Sequence, residues 1–482
     1  MTDTLIDARK FYINGQWVDP AAAQDFDVID PSTEEVVAVI SLGGQADTDA
    51  AVAAAKAALP GWAASTKAER QALVERILAI YERRAPEMAR MMTLEMGAPM
   101  DMSLDDQVGS GSYHITNFLT AFKDFTFIKP LGDHAPTSRI ALEPVGVVAH
   151  ITPWNWPMNQ VTLKVIPAIL AGCTSVLKPS EIAPLSSFLF AQILDEAGVP
   201  PGVFNMVNGD GAGVGSALST HPDVDMVSFT GSTRAGIAIT KAAADTLKKV
   251  VLELGGKGAN LIFADADEAA VKRGARHCFY NSGQSCNAPT RMLVERSIYD
   301  RAVETAREVA EQTRVASAHE PGKHIGPVVS KAQWEKIQAM IQTGIDEGAR
   351  LVAGGCGLPE GVNRGYFVRP TVFADVTNQM AIARQEIFGP VLSIIPFDSE
   401  DEALAIANDT PYGLTNYVQS QDGARRNRLA RLLRSGMVEM NGESRGAGSP
   451  FGGVKASGRA REGGHWGIEE FLDVKAISGW AD

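Results

Sequence analysis

Between residues 145 and 254 short apolar runs alternate with stretches of helical length, and this alternation restricts the fold more than any other feature of the chain. Residues 145–151, 174–178, 203–207, 226–230 and 249–254 read as strands, and residues 161–171, 185–198, 214–220 and 232–244 as the helices between them. A strand buried on both faces carries an unbroken apolar run, and parallel neighbours need a crossover, usually a helix. The pattern predicts βαβ units and a mostly parallel sheet. Such sheets bind ligands outside the carboxyl ends of their strands. That rule directs attention to residues 152–155, 178–181, 208–213, 231–232 and 255–256.

A second alternating region starts near Asn260 and runs to about Asn441, with helices predicted over 298–315 and 331–348 and strands near Leu351 and Val391. A chain of 482 residues exceeds what one hydrophobic core serves, so two α/β domains are expected. Near the N-terminus, Asn14-Gly15 lies between Phe11-Tyr12-Ile13 and Gln16-Trp17-Val18, a hairpin signal. Helical segments follow over 46–58 and 67–94. The tail Ile477-Ser478-Gly479-Trp480 is β-prone, and a strand there can complete another subunit's sheet.

The net charge of −13 argues against nucleic acid and anionic membranes as partners, because both call for a basic surface. A nucleotide remains compatible, since helix N-termini hold phosphates without a basic face. Four cysteines, with no CxxC pair, suit a reducing cytoplasmic compartment. The histidines form no HxxxH or Cys/His cluster, so no metal site is expected. The segment Met1-Thr2-Asp3-Thr4-Leu5-Ile6-Asp7 is acidic and does not read as a secretory signal, and no window offers the ~18 apolar residues of a membrane span.

The chemistry centres on Asn281-Ser282-Gly283-Gln284-Ser285-Cys286, a polar turn ending in a thiol. Upstream, Glu253-Leu254-Gly255-Gly256-Lys257 supplies a carboxylate at a strand end. A thiolate nucleophile and a proton-accepting acid are two parts of covalent acyl chemistry. Pro153-Trp154-Asn155-Trp156-Pro157 adds an uncharged amide donor suited to an oxyanion. Gly231-Ser232 joins a strand to a helix, where free amides can hold a pyrophosphate, yet no complete G-x-G-x-x-G exists, because Gly209-Asp210-Gly211-Ala212-Gly213 fails the spacing. Lys178-Pro179-Ser180-Glu181 can meet ribose hydroxyls, and Glu386-Ile387-Phe388 sets an acid beside an aromatic before a strand. Taken singly, each also reads as ordinary turn or capping chemistry.

In combination and order, these motifs and Pro450-Phe451-Gly452-Gly453-Val454-Lys455 resemble the aldehyde dehydrogenase superfamily over essentially the whole chain. The resemblance implies an α/β fold: an atypical Rossmann cofactor domain (1–122 and 145–255), an α/β catalytic domain (256–449), and a small β oligomerisation element (123–144 and 465–482). It implies an NAD(P)-dependent oxidation of an aldehyde to a carboxylic acid in a homodimer or homotetramer. Cys286 matches the nucleophile, Glu253 the general base, and Asn155, with the Cys286 amide, the oxyanion donors. Lys178 and Glu181 match adenosine-ribose contacts, Gly231 and Ser232 the pyrophosphate turn, Trp154 a wall of the cofactor cleft, and Glu386 and Phe388 the nicotinamide-riboside contacts. Glu181 favours NAD over NADP, because a carboxylate repels a 2′-phosphate. The bound nicotinamide and a helix end are expected to lower the thiol pKa. One departure is Ser457-Gly458-Arg459-Ala460-Arg461-Glu462, where the family often continues Ser-Gly into Gly-Arg-Glu.

An intact Cys286, Glu253 and Asn155 speak against a catalytically silent member of the family, and Glu253 also disfavours a reductase of activated carboxylates. A CoA-acylating enzyme has no need of a hydrolytic base, so Glu253 speaks against it. A non-redox thiol hydrolase needs a histidine partner for the thiol, for which His277 is the candidate. The aldehyde itself is not legible. Trp156, Gln160, Tyr113, Ser285, Asn287 and residues 443–449 are candidates for the substrate mouth; Arg445 could pair with an anionic tail, although a single arginine in a glycine-rich loop is more often simply solvated.

Overall fold

The computed structural model describes residues 5–481, so the first four residues of the acidic N-terminal segment and Asp482 lie outside it. Two seven-stranded sheets form the body. The first runs, edge to edge, Lys249–Glu253, Met226–Thr230, Val147–Ile151, Thr174–Lys178, Phe204–Met206, Phe11–Ile13 and Gln16–Val18. Its first five strands are parallel, and the N-terminal hairpin joins them antiparallel. The hairpin turns at Asn14 and Gly15, both left-handed, as a tight two-residue turn between twisted strands demands.

Successive strands step outward from Val147–Ile151 in one direction, and Met226–Thr230 then returns to its other side. At such a reversal the loops after the two adjacent strands diverge and leave a crevice. Residues 152–155 and 231–232 form its lips.

The second sheet runs Arg350–Ala353, Thr371–Ala374, Val391–Phe397, Arg291–Glu295, Ala259–Ile262, Thr415–Gln419 and Met437–Met440. All its pairings are parallel except the first. Here the chemical residues precede strands: Glu253 to Lys257 lead into Ala259–Ile262, Cys286 into Arg291–Glu295, and Glu386 into Val391–Phe397. The carboxyl ends of the first sheet therefore face the amino ends of the second across the site.

A separate three-stranded sheet pairs Leu472–Ser478 with Ser138–Pro144 and the latter with Ile128–Pro130, all antiparallel. Its outer strand is exposed along most of its length, with Val474 72% accessible. Residues 464–469 are instead helical, and Ile468 is buried in the core of the first sheet.

Two element boundaries differ from the sequence expectation. The helical stretch 67–94 breaks at Arg84 into Lys67–Arg83 and Ala85–Met96, because Pro86 lacks an amide to donate and is tolerated only in a first turn. The short helix predicted over 214–220 begins earlier as a π-turn, Gly211–Gly215, capped by the Asp210 carboxylate on the Gly213 amide. This turn is what the near-fingerprint glycines build.

Helix Pro157–Ala171 is the central support. Every side chain from Val161 to Ala171 is buried, as expected of a helix apolar on all sides. The exception in polarity is Lys164, wholly buried and paired with Glu462.

Candidate active site

The thiol turn leaves helix Ala270–Phe279 through three consecutive left-handed residues, Asn281, Ser282 and Gly283. Non-glycine residues in that region cost about 1–3 kcal/mol each and persist only where surroundings enforce them. The enforcement is visible. Asn281 Nδ2 donates to the Asn155 carbonyl at 3.0 Å, Ser282 Oγ donates to the Gly326 carbonyl at 2.7 Å, and the Val329 amide donates to Gln284 Oε1 at 2.9 Å. A Cβ on Gly283 would lie 2.1 Å from the Gly389 carbonyl carbon, and one on Gly256 would lie 2.2 Å from the Cys286 carbonyl oxygen. Glycine is required at both positions by the closeness of the backbones.

Asn155 is buried against this turn. Its Nδ2 donates to the Gln284 carbonyl at 3.0 Å, and its own carbonyl accepts from Gln107 Nε2 at 3.1 Å. An amide nitrogen carries two hydrogens. One is committed to the Gln284 carbonyl, and Asn155 lines a cavity that Cys286 also lines.

Cys286 stands on the wall of two cavities. One, of about 230 Å³, is lined by Trp154, Asn155, Gly231, Ser232, Glu386 and Phe388 among others. The structure thus brings five of the seven predicted cofactor residues together with the thiol. Trp154 and Phe388 meet edge to face at 5.4 Å, and Glu386 accepts from the Gly256 amide at 2.8 Å. The other cavity, of about 310 Å³, opens on the opposite side of Cys286 between Tyr113, His114, Trp156, Asn287, Arg445 and Phe451. Trp156 Nε1 donates to Ser285 Oγ at 2.9 Å, which ties the wall of this cavity to the thiol turn.

Lys178 and Glu181 lie apart from the first cavity. The buried Lys178 ammonium donates to the carbonyls of Pro179 and Gly209 and approaches Glu181 at 3.4 Å. Its stem packs beside Gly215, which lines a further hollow with Ile151, Phe229, Arg234, Ala235 and Ile239. Between this hollow and the first cavity sits the N-terminus of helix Thr233–Ala243, capped by Ser232 on the Ala235 amide. An apolar hollow, a helix N-terminus and an acid beside a lysine fit an adenine, a pyrophosphate and a ribose respectively.

Glu253 is 2% exposed and lines neither cavity. Among the described residues neither carboxylate oxygen has a hydrogen-bond partner, and its electrostatic neighbours are Glu462, Lys164, Arg461 and Glu470. Burial first, and the like charge of Glu462 second, hold its pKa well above the ordinary carboxylate range. The thiol is likewise raised, by burial and then by Glu386 and Glu253, against which Arg445 and the Cys286 amide pull down. The expected lowering by a helix end is not met in this state. The nearest helix presents its C-terminus to the turn, and that end disfavours an anion.

His277 lines the second cavity with its ring against Tyr417 at 5.4 Å, and among the described residues no hydrogen bond joins it to Cys286. The thiol–histidine pair of a non-redox hydrolase is therefore not formed. Sequence reasoning missed Lys164 and Glu462 beside the acid, and Gln107 and Asn281 around Asn155. Lys164 had a signal: a lone charge within an apolar helix. Glu462 had none, since it arrives from the divergent segment after Gly458. Among the described residues no group of three or more potential ligands is arranged for a metal, and no helix is long and apolar enough to cross a membrane.

A family model described as the aldehyde dehydrogenase family matches residues 17–477. A curated relative from a Pseudomonas species, a 3-succinoylsemialdehyde-pyridine dehydrogenase, is 50% identical over 98% of this chain and 99% of its own. An aldehyde dehydrogenase from Bartonella henselae is 64% identical, with a TM-score of 0.98 over 99% of this chain and 100% of its own. One from Pseudomonas syringae, solved as a cysteine-to-alanine mutant with NAD+ and octanal, is 47% identical, with a TM-score of 0.96 over 98% of this chain and 97% of its own.

Proposed function

This chain belongs to the aldehyde dehydrogenase family, and from that membership we propose that Cys286 is its nucleophile, Glu253 its hydrolytic base and Asn155 a donor to its oxyanion. The reaction is the NAD(P)-dependent oxidation of an aldehyde to a carboxylic acid, through a cysteine thiohemiacetal and a thioester that water hydrolyses. One observation carries the assignment of Cys286: it stands on the wall of two cavities, one lined by five of the seven candidate cofactor residues and one open to a small molecule.

Cys286 gives up its thiol proton to solvent, and the thiolate sulfur forms a bond to the carbonyl carbon as the carbonyl π pair moves onto oxygen. The free N–H of Asn155 and the Cys286 amide hold that oxyanion. A nicotinamide bound in the first cavity supplies the hydride acceptor. Loss of hydride leaves an acyl thioester on Cys286. Glu253 takes a proton from water, the water oxygen attacks the thioester carbon, and the carbon–sulfur bond breaks to release the acid. Burial and Glu462 raise its pKa, so Glu253 holds a proton more tightly than an ordinary carboxylate and is a stronger acceptor when ionised.

Trp154, Gly231, Ser232, Glu386 and Phe388 hold the nicotinamide half and pyrophosphate, and Lys178 and Glu181 the adenosine ribose. Glu181 gives NAD precedence over NADP. Residues 1–122 and 145–255 make the cofactor domain and 256–449 the catalytic domain. The sheet from 123–144 and the C-terminal strand joins subunits into a homodimer or homotetramer. Its exposed outer strand supports this, because an unpaired strand edge is a ready site for another chain. A cytoplasmic setting is supported by four cysteines that all remain free.

The test is NADH absorbance on mixing the enzyme, NAD or NADP, and a broad aldehyde panel. Turnover abolished in Cys286→Ala and faster with NAD is expected. Absence of NADH across the panel would overturn the reading.

A further inference from the structure

The second cavity is polar, yet it carries no uncompensated charge. Arg445 on its wall is already paired: Nε donates to Glu439 Oε1 at 3.2 Å, and the guanidinium lies over the Phe451 ring at 4.7 Å. Glu462 is paired with the buried Lys164. His114, bonded to Asn159 at 3.0 Å, is pushed down to about 4 by burial and by Arg445, and so is neutral at pH 7. Gln160, 5% exposed and lining both cavities, leaves Oε1 without a partner.

The position of Arg445 is the informative one. Glu439 engages the Nε side, and an aromatic face holds the plane of the group. No protein partner takes the two terminal nitrogens among the described residues. They form a donor fork on a side chain 32% exposed at the cavity wall, with its charge offset by Glu439 on the Nε side. A fork of this kind bonds a neutral carbonyl oxygen at full strength. A carboxylate placed there would leave a net negative charge beside Glu439, which is itself largely withdrawn from water with a side chain 15% exposed. A plain alkyl chain would bury the fork with nothing to bond.

Resting on the aldehyde oxidation proposed above, we infer that the substrate class is an uncharged aldehyde with a neutral oxygen acceptor, such as an oxo or amide group, at its far end, read by Arg445 with its charge offset by Glu439. A neutral tail thereby stands against the anionic one that the sequence offered as the lesser reading of Arg445.

The experiment compares three isosteric aldehydes, 6-oxohexanamide, 6-oxohexanoate and 6-methylheptanal, together with their homologues two methylenes shorter, as kcat/KM with NAD. The amide should exceed the alkyl aldehyde by at least about tenfold, which corresponds to about 1.4 kcal/mol and lies within reach of one charge-assisted hydrogen bond. The carboxylate should fall below the amide. In Glu439→Gln the guanidinium's charge is no longer offset, and the carboxylate-to-amide ratio should rise by at least about tenfold, a reversal that loose packing alone does not produce. If that variant does not fold, the wild-type order still decides. A wild-type preference for the carboxylate, or equal rates for all three, overturns the inference. So does NADH from other aldehydes but none of these. NADH from no aldehyde at all fails the activity itself, and the inference with it.

Discussion

Replacing Asn155 by alanine separates its structural work from its chemical work. The structural share is small. Nδ2 supplies one hydrogen bond to the Gln284 carbonyl, which keeps a second donor in Asn281 Nδ2 at 3.3 Å. The backbone carbonyl of residue 155 retains Gln107 and Asn281 whatever the side chain. Stability should therefore fall by about 1 kcal/mol, the net value of one hydrogen bond, and the thiol turn should hold. The chemical share is larger. With one of two oxyanion donors lost, the acylation rate should drop about 10²–10³-fold, or roughly 2.7–4 kcal/mol. Single-turnover NADH formation reads this directly, free of product release, and thermal melting reads the structural part. Asn155→Asp should be slower still, because it keeps the shape but sets a carboxylate against an acceptor carbonyl and a developing oxyanion. A single-turnover rate within tenfold of wild type, with the fold intact, would refute the assignment of Asn155 to the oxyanion.

Other consequences are equally direct. Iodoacetamide labelling of Cys286 in the cofactor-free enzyme should rise about tenfold per pH unit from pH 7 to 9, since burial and two carboxylates keep the thiol protonated above its usual range, and a plateau near about 8.5 would contradict this. Glu253→Gln removes one of those carboxylates and the hydrolytic base, so labelling should quicken while turnover becomes a burst of NADH followed by a steady rate about 10²–10⁴-fold lower; a linear trace at the normal rate disproves the role. Glu181→Ser should raise the NADP-to-NAD ratio of kcat/KM at least about tenfold, and an unchanged ratio removes Glu181 from discrimination. Gly283→Ala must place a Cβ at φ 72° and 2.1 Å from a backbone carbon, so both activity and melting temperature should fall, and wild-type behaviour in both measurements would show that the turn can shift.

The sheet of the cofactor domain was legible because buried parallel strands announce themselves. Residues 174–178 and 226–230 were bounded correctly from apolar runs alone, and the flanking helices ended within a few residues of expectation. Where reading failed, a local rule had been overlooked. Pro86 divides one amphipathic stretch into two helices, and Asp210 with its glycines winds a π-turn that resembles a broken nucleotide fingerprint. Strand order was not legible, because it depends on which strands pair, and apolar periodicity is silent on pairing.

The site divides along a similar line. Asn155, Gly231 and Ser232 could be found because each follows a strand end, which is visible in sequence, and Cys286 because it closes a polar, glycine-bearing turn. Their relations could not be found, because those are contacts between backbones distant in the chain. Gly256 admits the Cys286 carbonyl, and Gly283 admits Gly389. These approaches set the height of the thiol between the two cavities, and a glycine in sequence does not say what it stands against. Charge state was the least legible property of all. Arg445 reads as a cation until Glu439 is seen behind it, and Glu253 reads as a solvated acid until burial and Glu462 are seen around it. A residue type gives the chemistry a side chain is capable of. Only the neighbours decide the protonation and net charge with which it meets a substrate, and here those neighbours lie 6 residues away for Arg445 and more than 200 away for Glu253.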